Sequence, residues 1–121
     1  MSPGHHRIRI KRIYETPAPD DGLRILVDRL WPRGLRKENA RIDHWLKEIA
    51  PSDALRREFG HDVSKWAMFQ HRYREELAAN PALEELRALA SQNDITLLYA
   101  AKDEAHNQAV ILKQVLEENL K

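Results

Sequence analysis

The chain has 121 residues, 42% of them hydrophobic and 32% charged, with 20 basic and 19 acidic side chains for a formal net charge of +1. That length fits one domain with a real core over residues 1–121, and the near-neutral balance excludes a protein that coats nucleic acid through bulk positive charge. There is no cysteine, so disulfides, thiolate nucleophiles and cysteine-based zinc sites are excluded and a cytoplasmic setting is expected.

No apolar run approaches the roughly 20 residues that cross a bilayer, so no membrane partner is expected. Residues 1–6 lack the apolar segment of a signal peptide and read as a flexible terminus. The His5-His6 pair on that terminus is too small a donor set for a metal site, and none is expected.

Residues 7–13 alternate: Ile8 and Ile10 point one way, Arg7, Arg9 and Lys11 the other. This is the period of a half-buried strand, and the charged row either protects a sheet edge or touches a phosphate backbone. Residues 15–22 hold Pro17, Pro19 and an Asp21-Gly22 turn signal and read as a loop. Residues 23–28 resume as a strand, covered on both faces because Leu26 and Val27 are adjacent and apolar. Pro32 and Gly34 stop it.

Between 37 and 50 the spacing of Ile42, Trp45, Leu46 and Ile49 is helical, with room for a short extended piece before Trp45; Pro51 closes the segment. Ser52 caps a short helix that Gly60 ends. Ser64 opens a stronger helix, whose Trp66, Phe69, Tyr73 and Leu77 form one apolar stripe, while Glu75 and Glu76 read as solvated. Asn80-Pro81 starts another helix with Leu83, Leu86 and Ala90 inward. Residues 95–100 are the most apolar strand and should be central. Asp103 caps the last helix, whose inner face carries Ala105, Ala109, Leu112 and Leu116. Strands separated by helices predict an α/β fold: a small, mostly parallel sheet of three or four strands covered by helices, a Rossmann-like three-layer arrangement.

Two strands end in polar turns, and strand ends of this kind are where α/β proteins place ligand sites. Arg29 and Arg33 offer forked donors to a carboxylate or phosphate, and Lys102 adds a cation beside the start of the last helix. Trp31, Tyr99 and Asn107 complete the candidate ligand-binding set, for a small anionic ligand. His106 is the candidate acid or base because histidine titrates near neutral pH, with Asp28 or Asp103 orienting it. There is no Gly-x-Gly-x-x-Gly and no Walker-type loop, so no nucleotide cofactor is expected. An alternative is a nucleic-acid or protein interaction module using the basic first strand. Neither a reaction nor an oligomeric state is legible.

Leu26-Val27-Asp28-Arg29-Leu30-Trp31-Pro32-Arg33-Gly34, Trp45-Leu46-Lys47-Glu48-Ile49-Ala50-Pro51-Ser52 and Leu97-Leu98-Tyr99-Ala100-Ala101-Lys102-Asp103 resemble the signatures of an uncharacterised bacterial family, domain of unknown function 488, in its YeaO-like branch. The resemblance covers nearly the whole chain and implies a small cytosolic α/β domain without implying a reaction or cofactor. Other branches of that family often carry a cysteine at the end of the last strand and a Cys-His-Arg run in the following helix. Here Tyr99 and Asn107-Gln108-Ala109 stand at those places, so thiol chemistry does not carry over.

Overall fold

Strands β1 (Ile8–Arg12), β2 (Leu23–Leu26), β3 (His44–Trp45) and β4 (Ile95–Tyr99) form one all-parallel sheet in the order β1-β4-β2-β3. The computed structural model describes residues 6–118, so most of the terminus expected to be flexible lies outside the described residues. β4 is buried at every position because both flanking strands pair with it, Ile95 standing opposite Ile8 on one side and Leu23 on the other. β1 is an edge strand, which gives its alternating charged row a structural reason. The order places the ends of β2 and β4 side by side, where the sequence expected them.

Helices α1 (Lys37–Ala40), α2 (Asp53–Phe59), α3 (Trp66–Ala78), α4 (Ala82–Gln92) and α5 (Gln108–Glu118) cover the sheet. The main core joins Phe69, Tyr73 and Leu77 of α3, Leu83 and Leu86 of α4, and Ile111, Leu112 and Leu116 of α5 to Ile25, Val27, Ile95, Leu97 and Tyr99. By strand parity Leu26 and Leu98 point to the opposite face, where Trp31, Leu35, Ile42 and Trp45 pack against them. This third layer is thin, made of α1 and strand connections.

The second face also carries a buried polar knot. Arg24, 5% exposed, donates to the Asp21 carboxylate at 2.6 Å and to the Arg41 and Ala40 carbonyls at 3.0 and 3.1 Å. Lys11 reaches the same carboxylate at 3.2 Å, and the Thr96 hydroxyl donates to the Asp21 carbonyl at 2.7 Å. Residues 13–22 are thereby tied across β4. Burial pushes the Asp21 carboxyl up, but donors from Ala18 N–H, Arg24 and Lys11 outweigh it and hold the group below the usual carboxylate range.

Three expectations are corrected and one mixed segment is resolved. In residues 37–50 Arg41 turns left-handed (φ 49°) and ends α1, and Asp43 N–H then donates to the Arg24 carbonyl at 2.8 Å. Asp43 returns a carboxylate contact to Arg24 N–H at 2.8 Å, laying His44 and Trp45 alongside β2 as the extended piece. Asp62, not Ser64, caps the turn that leads into α3, accepting from Ser64 N–H and Oγ–H at 3.0 and 2.7 Å. Glu76 is not solvated: it accepts from Ser52 N–H at 2.9 Å and Ser52 Oγ–H at 2.6 Å. Asp103 caps a local turn rather than α5, accepting from Ala105 and His106 N–H at 2.9 and 3.1 Å, which leaves Ala105 exposed.

Candidate ligand site at the strand ends

β2 and β4 part just beyond their last paired residues, and Asp28 sits in the gap. Its carboxylate accepts from the Ala100 N–H at 3.0 Å and from the Gln108 side-chain amide, while its carbonyl accepts from Trp45 Nε1–H at 2.7 Å. One aspartate thus joins the ends of both strands to the first residue of α5. Burial pushes the Asp28 carboxyl above the usual range, and neither those two donors nor the Arg56 charge offsets it.

Above Asp28 lies a cavity of about 300 Å³. Its polar wall includes Asp28, Arg29, Arg56, His61, His106 and Gln108, and Phe59, Phe69, Pro51 and Leu30 give it apolar surface. The sequence builds this wall in pieces. Ser52 Oγ accepts from Leu55 N–H at 3.2 Å and starts α2, which presents Arg56 and Phe59. Gly60 ends α2 with φ 53°, and His61 follows at φ 59°, a conformation uncommon for a side-chain-bearing residue. That reversal carries the His61 ring to the cavity, 6.2 Å from the Phe59 ring.

Arg29 is held by its backbone neighbours across the site. Nη2 donates to the Ala50 and Pro51 carbonyls at 3.2 and 3.4 Å, and Glu48 and Asp53 carboxylates each lie 4.0 Å from the guanidinium. Its Nε–H is buried and has no hydrogen-bond partner among the described residues. A buried donor left without a hydrogen bond costs about 1–3 kcal/mol, and the Asp53 carboxylate 4.0 Å from this Nε offsets part of that cost; Arg87 Nε, away from the cavity, is in the same state.

His106 is fixed on two sides. Nδ1 lies 2.9 Å from the Asp103 carboxylate, and the edge of Trp66 meets the ring at 5.1 Å between centroids. The Ala105 N–H, with His106 adding to it, holds the Asp103 carboxyl below its ordinary value. With Nδ1 protonated toward Asp103, Nε2 is the position left to accept or deliver a proton. Asn107 is the N-cap of α5: its Oδ1 accepts from Ala109 N–H at 2.9 Å, and its Nδ2 donates to the Asp103 carbonyl at 2.9 Å.

Of the residues singled out from the sequence, Asp28, Arg29, His106 and Asn107 line the cavity, with Asp103 directly behind His106. Arg33, Trp31, Tyr99 and Lys102 are not on its wall. Trp31 turns to the second face and packs edge-on against Trp45. Arg33 and Lys102 are exposed. Tyr99 belongs to the core, and burial, followed by the charges of Glu104 and Glu15, raises its hydroxyl pKa. Arg56 and His61 were not legible as site residues, because they arrive by tertiary packing from α2 and the turn beyond it; Gln108 was quoted only within the Asn107-Gln108-Ala109 run. Gly60 beside His61 was the one local hint.

Among the described residues no group of histidines and carboxylates is arranged to hold a metal ion, and no helix is long and apolar enough to cross a membrane. The chain is 43% identical over 110 residues to the uncharacterized protein Rv3073c of Mycobacterium tuberculosis, covering 91% of this chain and 93% of that one. It is also 43% identical over 106 residues to the uncharacterized protein YeaO of Escherichia coli K12, covering 87% and 92%. No solved structure matches it significantly. Residues 7–121 match the profile of the family described as the inactive DUF488-N3 subclade, and the chain belongs to that family.

Proposed function

We propose that the protein binds a small organic anion in the strand-end cavity and does so without thiol chemistry. The observation that carries this reading is the convergence of Arg29, Arg56, His61 and His106 on one wall of the cavity. These donors favour a phosphate or carboxylate. Phe59, Phe69 and Pro51 provide apolar contact for the remainder of the ligand, and the cavity volume suits a small one. Asp28 keeps an acceptor in the site despite its burial, which favours a ligand that carries a hydrogen-bond donor beside its anionic group.

Binding without turnover agrees with the family's description as inactive and with the missing cysteines. His106, whose Nδ1 contacts the Asp103 carboxylate, would be the proton-transfer group of any residual reaction. The alternative contact surface on β1 finds little support: Arg9 pairs with Asp20 at 2.9 Å, Lys11 with Asp21 at 3.2 Å and Arg7 with Asp94 at 3.8 Å.

A thermal-shift screen of phosphate, aromatic phosphates and small carboxylates tests the reading. At one hundred times its dissociation constant a ligand stabilises by about 2.7 kcal/mol, which is readily seen as a higher Tm. Arg56→Gln should lose that rise with little change in its own Tm, because Arg56 is half exposed and its ion pair is with its near neighbour Asp53. An equal rise in wild type and variant would contradict the assignment.

A further inference from the structure

The exposed cations of this chain are distributed unevenly. Arg33, Arg36, Lys37, Arg41 and Lys47 fall within fifteen residues that hold only two carboxylates, Glu38 and Asp43, so this stretch carries more positive charge than the whole chain. All five are exposed, and none is ion-paired among the described residues. Elsewhere Arg9, Lys11, Arg24, Arg72, Arg74 and Arg87 each have a carboxylate partner, and the exposed Arg57, Lys65 and Lys102, which have no ion pair among the described residues, are scattered singly along the chain.

Aromatic rings join Lys37 and Lys47 of this segment. The Lys37 ammonium lies 6.0 Å over the Trp31 ring, Trp31 meets Trp45 edge-on at 5.5 Å, and Lys47 lies 4.9 Å over Trp45. Two residues beyond Trp31, the Arg33 carbonyl accepts from the Tyr14 hydroxyl at 2.9 Å, and the Arg12 guanidinium lies 5.1 Å from the Tyr14 ring. Tyr14 is 44% exposed. None of these side chains lines the strand-end cavity, so the surface stands independently of it.

We infer that this basic, aromatic-studded face binds single-stranded nucleic acid. Unpaired cations on a folded face neutralise backbone phosphates with release of counterions, and an exposed ring offers a stacking platform that tolerates any base. The near-neutral total charge makes the contact local: a few phosphates, not a long tract. A duplex is a poorer fit, because the face presents half-buried rings and a short cap of loops and α1 rather than a helix long enough for a groove.

Fluorescence anisotropy with a labelled single-stranded oligonucleotide of about 15 nucleotides tests this. Affinity should fall steeply between about 50 and 200 mM salt, with a log–log slope of about −2 to −3.5 for three to five phosphates. Arg36→Glu with Lys37→Glu should weaken binding at least about tenfold and flatten that slope by more than about one, at unchanged Tm. Tyr14→Ala should weaken binding and leave the slope alone. Lys113→Glu, on α5, should bind as wild type. No binding at the lowest salt, wild-type binding by the double variant, or equal affinity for a duplex or for polyglutamate would each overturn the inference.

Discussion

Asp28 shows most clearly how a single buried side chain can work against the stability of the fold. Its carboxyl is buried and its pKa is raised, so the folded state holds the proton more tightly than the unfolded chain does. The sign follows from linkage: the ionised group weakens the fold above its folded pKa, and stability recovers as pH falls from there toward the unfolded value near 3.9. Asp28→Asn should therefore raise Tm at neutral pH and remove that part of the pH dependence. The asparagine oxygen can accept from Ala100 N–H, and the Gln108 amide can turn to accept from the new Nδ2. A lower Tm across the range would show instead that the charge supports the structure. Asp21 has the opposite sign. Its lowered pKa contributes stability that is complete above about pH 4 and lost as pH falls through the folded value. Asp21→Asn leaves Arg24 buried without its counter-charge and should cost roughly 3 kcal/mol in a denaturant titration.

Elements were read from the sequence where a local pattern and the tertiary outcome agree. Alternation gave β1, the continuous apolar run gave β4, the Trp66, Phe69, Tyr73, Leu77 stripe gave α3, and Ser52 with Gly60 bounded α2. The misreadings arose where side chains captured the backbone. The Asp103 carboxylate takes two N–H groups into a turn, so α5 begins at Gln108 under the Asn107 cap. Asn107→Ala should cost about 1 kcal/mol, read as a lower Tm, while Asp103→Ala should mainly release the His106 ring. The start of β2 depends on Gly22 (φ 67°), where an added Cβ would lie 2.1 Å from the Asp94 carbonyl oxygen. That carbonyl accepts the Leu23 N–H at 2.9 Å, so Gly22→Ala should destabilise by more than about 1 kcal/mol and disturb β2 pairing. Asp21-Gly22 was legible as a turn, but nothing local announced that it would sit against β4.

At the scale of the whole molecule, the sheet order decides what the site can be. Placing β4 between β1 and β2 puts the ends of β2 and β4 together and opens the cavity there. The same order puts the polar knot and the two paired tryptophans on the far face. The strand-end location was legible from the abrupt change at Asp28 and after Tyr99. The actual wall was not, because Arg56 and His61 come from α2 and the turn beyond it, far from either strand in sequence. Arg33 and Lys102, attractive by sequence proximity, point to solvent because the chain leaves the strand ends immediately after Leu30 and Ala101.

The central claim is that this cavity receives a small organic anion. The most direct test follows the ring protons of His61 and His106 by NMR while phenyl phosphate is added. The geometry predicts saturable shifts at both histidines, while exposed His71 on the outer surface of α3 stays unmoved. Arg56→Gln should abolish those shifts. Histidine signals that do not move at millimolar ligand, or that move equally at His71, would contradict the assignment of this cavity as an anion site.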